Sequence, residues 1–158
     1  DYRGTSGTYF ANMPSFLKGN YVRGVRLVFK DGRAVEVTAE EGEEFTKSQI
    51  GMDEGACRVG EFSLTDKRHS PITKFMAEIL FDENVCGENG NCHIAVGDSY
   101  RETYSGDLKE MTPELEKKLG YNDSALHWDL INTEPKTVTA LLRGGGRKVI
   151  YENGMFKY

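Results

Sequence analysis

Two dipeptides near opposite ends of the chain constrain its folding most. Asp31-Gly32 follows the run Tyr21 to Phe29 (YVRGVRLVF) and precedes Ala34 to Thr38 (AVEVT), both rich in β-branched and aromatic residues. Asn153-Gly154 stands between Lys148 to Glu152 (KVIYE) and Met155 to Tyr158 (MFKY). A two-residue type I′ turn needs positive φ at both central positions, which Asp, Asn and Gly tolerate. Each place therefore predicts an antiparallel hairpin. Shorter strand-like runs lie between them, at 57–65, 92–97, 125–131 and 137–142. Three helices are expected. Glu40 to Ile50 is rich in Glu. Pro71 to Leu80 carries Ile72, Phe75, Met76, Ile79 and Leu80 at helical spacing, with Ser70 as N-cap and Pro71 at the first helical position. Thr112 to Gly120 has a Thr cap, an early proline and acids, late lysines and a Gly stop. Strands outnumber helices, which predicts an α+β fold with a mixed, largely antiparallel β-sheet, hairpins and a few helices.

The 158 residues suit one domain, 1–158, with no repeat and no clear linker. With 38% hydrophobic and 28% charged residues the chain is expected to fold as a globule rather than stay disordered. No apolar run approaches the roughly 20 residues that span a bilayer. The net charge is −5, and the basic spots Lys67-Arg68-His69 and Lys117-Lys118 are short, so nucleic acid is not an expected partner. The opening residues, Asp1 to Gly7, are polar and small, unlike a secretory leader, and the lack of an initiator Met suggests a chain cut from something longer. Three cysteines, Cys57, Cys86 and Cys92, with no leader point to a reducing, cytoplasmic setting. No CxxC pair exists, which excludes a zinc ribbon. Cys86 and Cys92 bracket the loop GENGN, which leaves a disulfide or two free thiols open. Cys92 and His93, adjacent on a strand, point to opposite faces and make a poor catalytic dyad.

Three strand-like stretches carry residues suited to metal chemistry. In Ala125 to Ile131 (ALHWDLI), alternation puts Leu126, Trp128 and Leu130 on one face and His127 with Asp129 on the other. An imidazole and a carboxylate at i and i+2 can ligate one divalent ion. They can equally line a polar cleft or face water, because His-x-Asp is short and common. In Cys92 to Gly97 (CHIAVG), Ile94 and Val96 face a core, and His93 shares its face with the small residues Ala95 and Gly97, which leave room for a ligand. In Arg58 to Leu64 (RVGEFSL), Phe62 and Leu64 point one way and Glu61 the other. Each signal alone also describes a solvated surface. Together, two His, one Glu and one Asp suit a hydrolytic metal centre, and mixed imidazole and carboxylate donors favour zinc, cobalt or manganese over calcium or magnesium. His69, in a loop, is left as structural or surface.

In the stretches Gly55 to Leu64 (GACRVGEFSL), Ser70-Pro71-Ile72, Leu80 to Asn84 (LFDEN), Cys92 to Tyr100 (CHIAVGDSY) and Asn122 to Ile131 (NDSALHWDLI), the chain resembles the thermophilic-type metallo-aminopeptidases, peptidase family M29. Gly7 to Ser15 (GTYFANMPS) and Phe29 to Glu44 match as well, so the resemblance covers nearly the whole chain in order. It implies a two-metal exopeptidase that removes N-terminal residues from peptides with a free N-terminus, and it implies a homodimer. By motif position Glu61, His93, His127 and Asp129 correspond to metal ligands, and Tyr100 to the residue that stabilises the tetrahedral intermediate. Three departures stand out. The family's N-terminal domain is absent, which makes the chain the catalytic part. Where the family carries a glutamate expected to bridge both metals, Asn12-Met13-Pro14-Ser15 runs directly into Phe16-Leu17-Lys18. Cys86 to Gly90 is an insertion between Asn84 and His93. The missing carboxylate implies impaired activity, with a folded, self-associating and catalytically silent fragment holding a weak metal site as the alternative.

Overall fold

The computed structural model describes residues 1–158. In chain order the elements are β1 (Gly7–Ala11), β2 (Ser15–Leu17), β3 (Asn20–Val22), β4 (Val25–Lys30), β5 (Arg33–Thr38), α1 (Glu43–Ile50), β6 (Val59–Thr65), α2 (Ile79–Asp82), β7 (Asn91–Gly97), α3 (Pro113–Leu119), β8 (His127–Asn132), β9 (Thr137–Leu141), β10 (Arg147–Glu152) and β11 (Met155–Phe156), with short 3-10 turns between some of them. The strands form three three-stranded sheets, β1-β4-β5, β6-β7-β8 and β11-β10-β9, and the hairpin β2-β3. Every pairing is antiparallel.

Both predicted hairpins form as the turn chemistry requires. Asp31 and Gly32 sit at φ 49° and 80°, and Asn153 and Gly154 at 54° and 76°. A third tight turn, Lys18-Gly19 at φ 50° and 78°, closes β2 onto β3. The expected helix at 40–50 begins at Glu43, after a left-handed Gly42. The helix at 112–120 appears as α3, with the Thr112 hydroxyl accepting from Leu115 N and Gly120 in the left-handed C-terminal position.

The helix expected over Pro71 to Leu80 does not form; only Ile79–Asp82 is helical. The buried Asp82 carboxylate accepts from Met76 N at 2.6 Å and Glu78 N at 3.0 Å, and Ala77 turns to φ 58°. These bonds offer the backbone an alternative to helical ones. The Ser70 hydroxyl accepts from Ile72 N at 3.3 Å, as a cap would, and donates to Asn84 O, but no helix follows it. The helical spacing serves an irregular loop instead: Ile79 packs on the core and Phe75 stacks on Phe16, while Met76 and Leu80 stay exposed.

The core lies between the β1-β4-β5 sheet and one face of β6-β7-β8. Leu27 and Phe29 of β4 meet Ile94 and Val96 of β7 and Trp128 and Leu130 of β8, and Ile50 of α1 closes one end. Trp128 is fully buried, and its Nε1 donates to the Ser15 hydroxyl at 2.9 Å. The Tyr9 hydroxyl donates across the layers to Leu130 O at 2.8 Å, which ties β1 to β8. Phe62, expected on the apolar face, remains 57% exposed. All three cysteines are buried free thiols, so the Cys86–Cys92 pairing is not made, and His69 is on the surface.

Candidate metal centre

With Trp128 and Leu130 turned into the core, the outer face of β6-β7-β8 receives the polar residues of all three strands. Register places Glu61 opposite Ala95 and Ala95 opposite Asp129, so the two carboxylates flank a methyl group. His93 lies two residues before Ala95 on the middle strand, and His127 pairs with Gly97. Ala95 leaves the longer side chains room, whereas Gly97, at φ 102°, meets a different demand, since a Cβ there would land on the Leu126 carbonyl. A bulge between Val59 and Glu61 sets the register of β6. Gly60 permits it, since a Cβ there would land on the carbonyl oxygens of Gly97 and Asp98.

The four side chains named from sequence converge. His93 Nε2 is 3.0 Å from Glu61 Oε1 and 3.8 Å from Asp129 Oδ1. His127 Nε2 is 3.7 Å from both Glu61 Oε2 and Asp129 Oδ1. The inner half is closed, with His93 2% and Asp129 4% exposed, whereas the side chains of Glu61 and His127 are about a quarter open. Each imidazole is oriented from behind: His93 Nδ1 lies 2.8 Å from Glu83 O and His127 Nδ1 2.9 Å from Asp98 O. A carbonyl only accepts, so both Nδ1 atoms carry hydrogen and both Nε2 atoms direct a lone pair into the cluster in the neutral rings.

Glu83 is the residue that sequence reasoning missed. Its carboxylate joins His93 and Asp129 in a second triad whose donor atoms lie within 4.8 Å of one another, beside the triad of Glu61, His127 and Asp129. Asp129 belongs to both. The signal for Glu83 was only the LFDEN stretch, because its approach depends on the loop that folds 76–84 back over the sheet.

The donor set fits a divalent cation. Glu61 Oε2, His127 Nε2 and Asp129 Oδ1 are buried and have no hydrogen-bond partner. Buried lone pairs facing one another are costly unless a positive charge lies among them. Burial pushes the Asp129 carboxyl above the usual carboxylate range, against the pull of His127 and His93. Glu83 is pushed up by burial and then by the charge of Asp129. Tyr100, just past β7, is half exposed, and its ring packs 4.7 Å from the His127 ring. Burial and the nearby Asp129, Glu61 and Glu83 raise its phenol above the ordinary value. The β2-β3 hairpin brings no carboxylate to this place: Ser15 is engaged with Trp128, and the turn is Lys18-Gly19.

A cleft of about 780 Å³ lies elsewhere, against Asp53, Arg58, Lys117 and Asn122. Some of its buried polar groups are tied into the fold, while Arg58 Nε and Asn122 Oδ1 have no hydrogen-bond partner. Asp53 accepts from the Ser124 hydroxyl and from Ala56 N and Ala125 N, and Asn122 donates to Gly55 O and Gly97 O.

Fold and site define a class of antiparallel-sheet domain that gathers imidazoles and carboxylates for divalent ions. The chain belongs to the thermophilic metalloprotease family M29, whose family model matches residues 1–156. It is 36% identical over 149 residues to aminopeptidase T of Thermus thermophilus, covering 94% of this chain and 35% of that protein. It is 31% identical over 156 residues to aminopeptidase 2 of Geobacillus stearothermophilus, covering 98% and 37%. Among solved structures, wild-type AmpT from Thermus thermophilus superposes with a TM-score of 0.83 at 33% identity, over 98% of this chain and 37% of that one. The chain thus spans little more than a third of the length of these relatives.

Proposed function

We propose that residues 1–158 form the catalytic domain of a metal-dependent aminopeptidase acting on peptides with a free N-terminus. The observation that carries this is the convergence of Glu61, His93, His127, Asp129 and Glu83, with three of their buried donor atoms unpartnered. Zinc, cobalt or manganese suits this mixture of nitrogen and oxygen donors. Two ions would be held, one by Glu61, His127 and Asp129 and one by Glu83, His93 and Asp129, with Asp129 common to both. Such a pair supplies a water of lowered pKa and polarises the scissile carbonyl.

The chain's own residues do the rest. The Nδ1–H bonds to Glu83 O and Asp98 O hold both rings in one tautomer and orientation. The raised phenol of Tyr100 keeps its proton at neutral pH and donates it as a hydrogen bond to the oxygen that gains charge in the tetrahedral intermediate. The open half, at Glu61 and His127, admits the substrate. There a free α-amine, once neutral, would reach a held ion as a further nitrogen donor, which an internal peptide nitrogen would not, and so the chain end would be selected over an internal bond.

A second reading rests on β2-β3. That hairpin carries no carboxylate toward the site, which favours a domain with one tight ion and weak turnover. Metal analysis after dialysis, with hydrolysis of leucine p-nitroanilide in zinc or cobalt, tests both. The first reading requires metal-dependent release that a chelator abolishes and that an N-acetylated substrate does not show. Bound metal without turnover selects the second. Assembly as a homodimer is expected from the family resemblance and is read by sedimentation. No helix is long and apolar enough to cross a membrane.

A further inference from the structure

His127 takes its orientation from the Asp98 carbonyl, and that carbonyl is itself held from behind. Two planar, trans peptide groups flank Asp98. The first, between Gly97 and Asp98, is pinned at both ends: Asp98 N donates to Leu126 O at 2.7 Å, and Gly97 O accepts from Asn122 Nδ2 at 2.5 Å. The second, between Asp98 and Ser99, donates through Ser99 N to Asn122 O at 2.9 Å. Its oxygen points the opposite way, as a trans peptide requires, and is the one that faces His127 Nδ1. Asn122 N completes the pairing by donating to Ser99 Oγ at 3.0 Å. One residue thus fixes both peptide planes that aim the Asp98 oxygen. Asn122 is in turn immobilised. It is 3% exposed, and its Nδ2 also donates to Gly55 O at 2.8 Å. Gly55 lies so close to this segment that a Cβ there would sit 2.0 Å from Asp123 O. Asp53 fastens the next residues by accepting from Ser124 Oγ and Ala125 N. Tyr100 directly follows Ser99, so the same bonds hold the start of the segment that lays its ring against His127. Gly55 and Asn122 open the two stretches that carry Glu61 and His127, GACRVGEFSL and NDSALHWDLI, and neither belongs to the donor cluster.

We propose that Asn122 is a positioning residue for the metal centre: through Gly97 and Ser99 it holds the Asp98 carbonyl against His127 Nδ1, and so keeps the Nε2 lone pair aimed between Glu61 and Asp129. The use of this arrangement rests on the metal-dependent reading above, whereas its geometry does not. His93 supplies an internal reference, because Glu83 O orients it independently of Asn122.

The test reads the two histidines separately, by long-range proton–nitrogen spectra of the metal-free chain at a pH where both rings are neutral. A ring held in one tautomer shows two well-separated nitrogen shifts, one for the protonated and one for the bare nitrogen. Asn122→Ala is expected to draw the His127 pair together, as the ring divides its proton between Nδ1 and Nε2, and to leave the His93 pair apart. Zinc titration followed on the His127 signals is expected to need about 10- to 100-fold more metal in the variant, with the His93 response as in the parent. Asn122→Asp keeps the shape but loses both Nδ2 donors, and should behave as Asn122→Ala does. Tyr151→Phe removes a buried hydrogen bond to Thr65 O at the other end of β6. It should lower the melting temperature without altering His127. Should Asn122→Ala fail to fold, Ser99→Ala, which removes the acceptor of Asn122 N, is expected to show the same change in smaller measure. A His127 pair that stays as far apart as the parent's in the folded variants, or a change that affects His93 and His127 alike, overturns the positioning role. A parent whose ring signals ignore zinc overturns the metal reading alone, since the tautomer comparison is made without metal.

Discussion

Asp129 shows how one residue can serve a site at the expense of the metal-free fold. The residue is buried, one carboxyl oxygen has no partner, and burial has raised its pKa. A carboxyl whose folded pKa lies above the unfolded one binds protons more readily in the native state, so its charge destabilises the fold at neutral pH. Asp129→Asn should therefore raise the melting temperature of the metal-free chain and abolish the rise that zinc gives the parent; differential scanning calorimetry with and without zinc checks both signs. Its neighbour Trp128 is the converse. Trp128→Ala removes a fully buried ring and should destabilise by about 3–5 kcal/mol whether or not metal is present. At this scale the sequence was informative: the two-residue period of a strand separated Leu126, Trp128 and Leu130 from His127 and Asp129 without any knowledge of the fold. Glu83 escaped because it lies on no strand, and no local period marks a residue placed by the return of a loop.

Among the elements, the hairpins were legible and the middle helix was not. An Asp-Gly or Asn-Gly turn is a local requirement on φ, satisfied within four residues, so nothing distant can override it cheaply. Gly32 adds a tertiary demand, since a Cβ there meets Tyr2 O at 2.7 Å and Arg3 Cα at 2.9 Å. Gly32→Val should cost roughly 1–2 kcal/mol from the left-handed backbone alone, with the clash in addition, and a denaturant midpoint equal to the parent's would contradict the turn assignment. The spacing in 71–80 failed as a predictor because Asp82 binds two backbone amides of its own loop, a choice that periodicity does not record. Asp66 plays a comparable role for the terminal hairpin. It is buried, pairs with Arg68 at 2.6 Å and accepts from Phe156 N, so it fastens β11 to the end of β6. Arg68 and these amide bonds hold its carboxyl well below the usual carboxylate range. A depressed folded pKa gives stability that is complete above the unfolded value and is lost as pH falls below about 4. Asp66→Asn should lower stability by about 2 kcal/mol at pH 7 and flatten the acid limb of the stability curve. An acid limb as steep as the parent's would show that other carboxylates govern it.

For the molecule as a whole, sequence indicated antiparallel strands but not which of them would share a sheet. Strand partnership is decided by long-range packing of apolar faces that look alike one run at a time. The outcome matters for chemistry, because β6, β7 and β8 must lie side by side for Glu61, His93 and Asp129 to face one another. Whole-molecule geometry also bears on the proposed activity. The cluster offers five donor side chains; were two ions held as proposed, with Asp129 shared, each would have three protein donors. Where the resemblance calls for a bridging glutamate, the chain turns at Lys18-Gly19, and Ser15 is committed to Trp128. Without a carboxylate from that side, the negative charge that holds two like-charged ions close together is reduced, and the ion at the open half should bind more weakly than the ion beside the buried His93. The expected result is about one tightly held zinc per chain after dialysis, and a kcat/KM on leucine p-nitroanilide roughly 100-fold or more below that of a full-length relative. Excess cobalt should recover part of the difference by mass action, which a deficit in folding would not allow. Replacing the Lys18-Gly19 turn with a longer loop that carries a glutamate should raise both metal content and turnover. Two tightly bound ions with turnover equal to the full-length relative's would show that Asp129 alone suffices as the bridge, and would remove the hairpin from the account of activity.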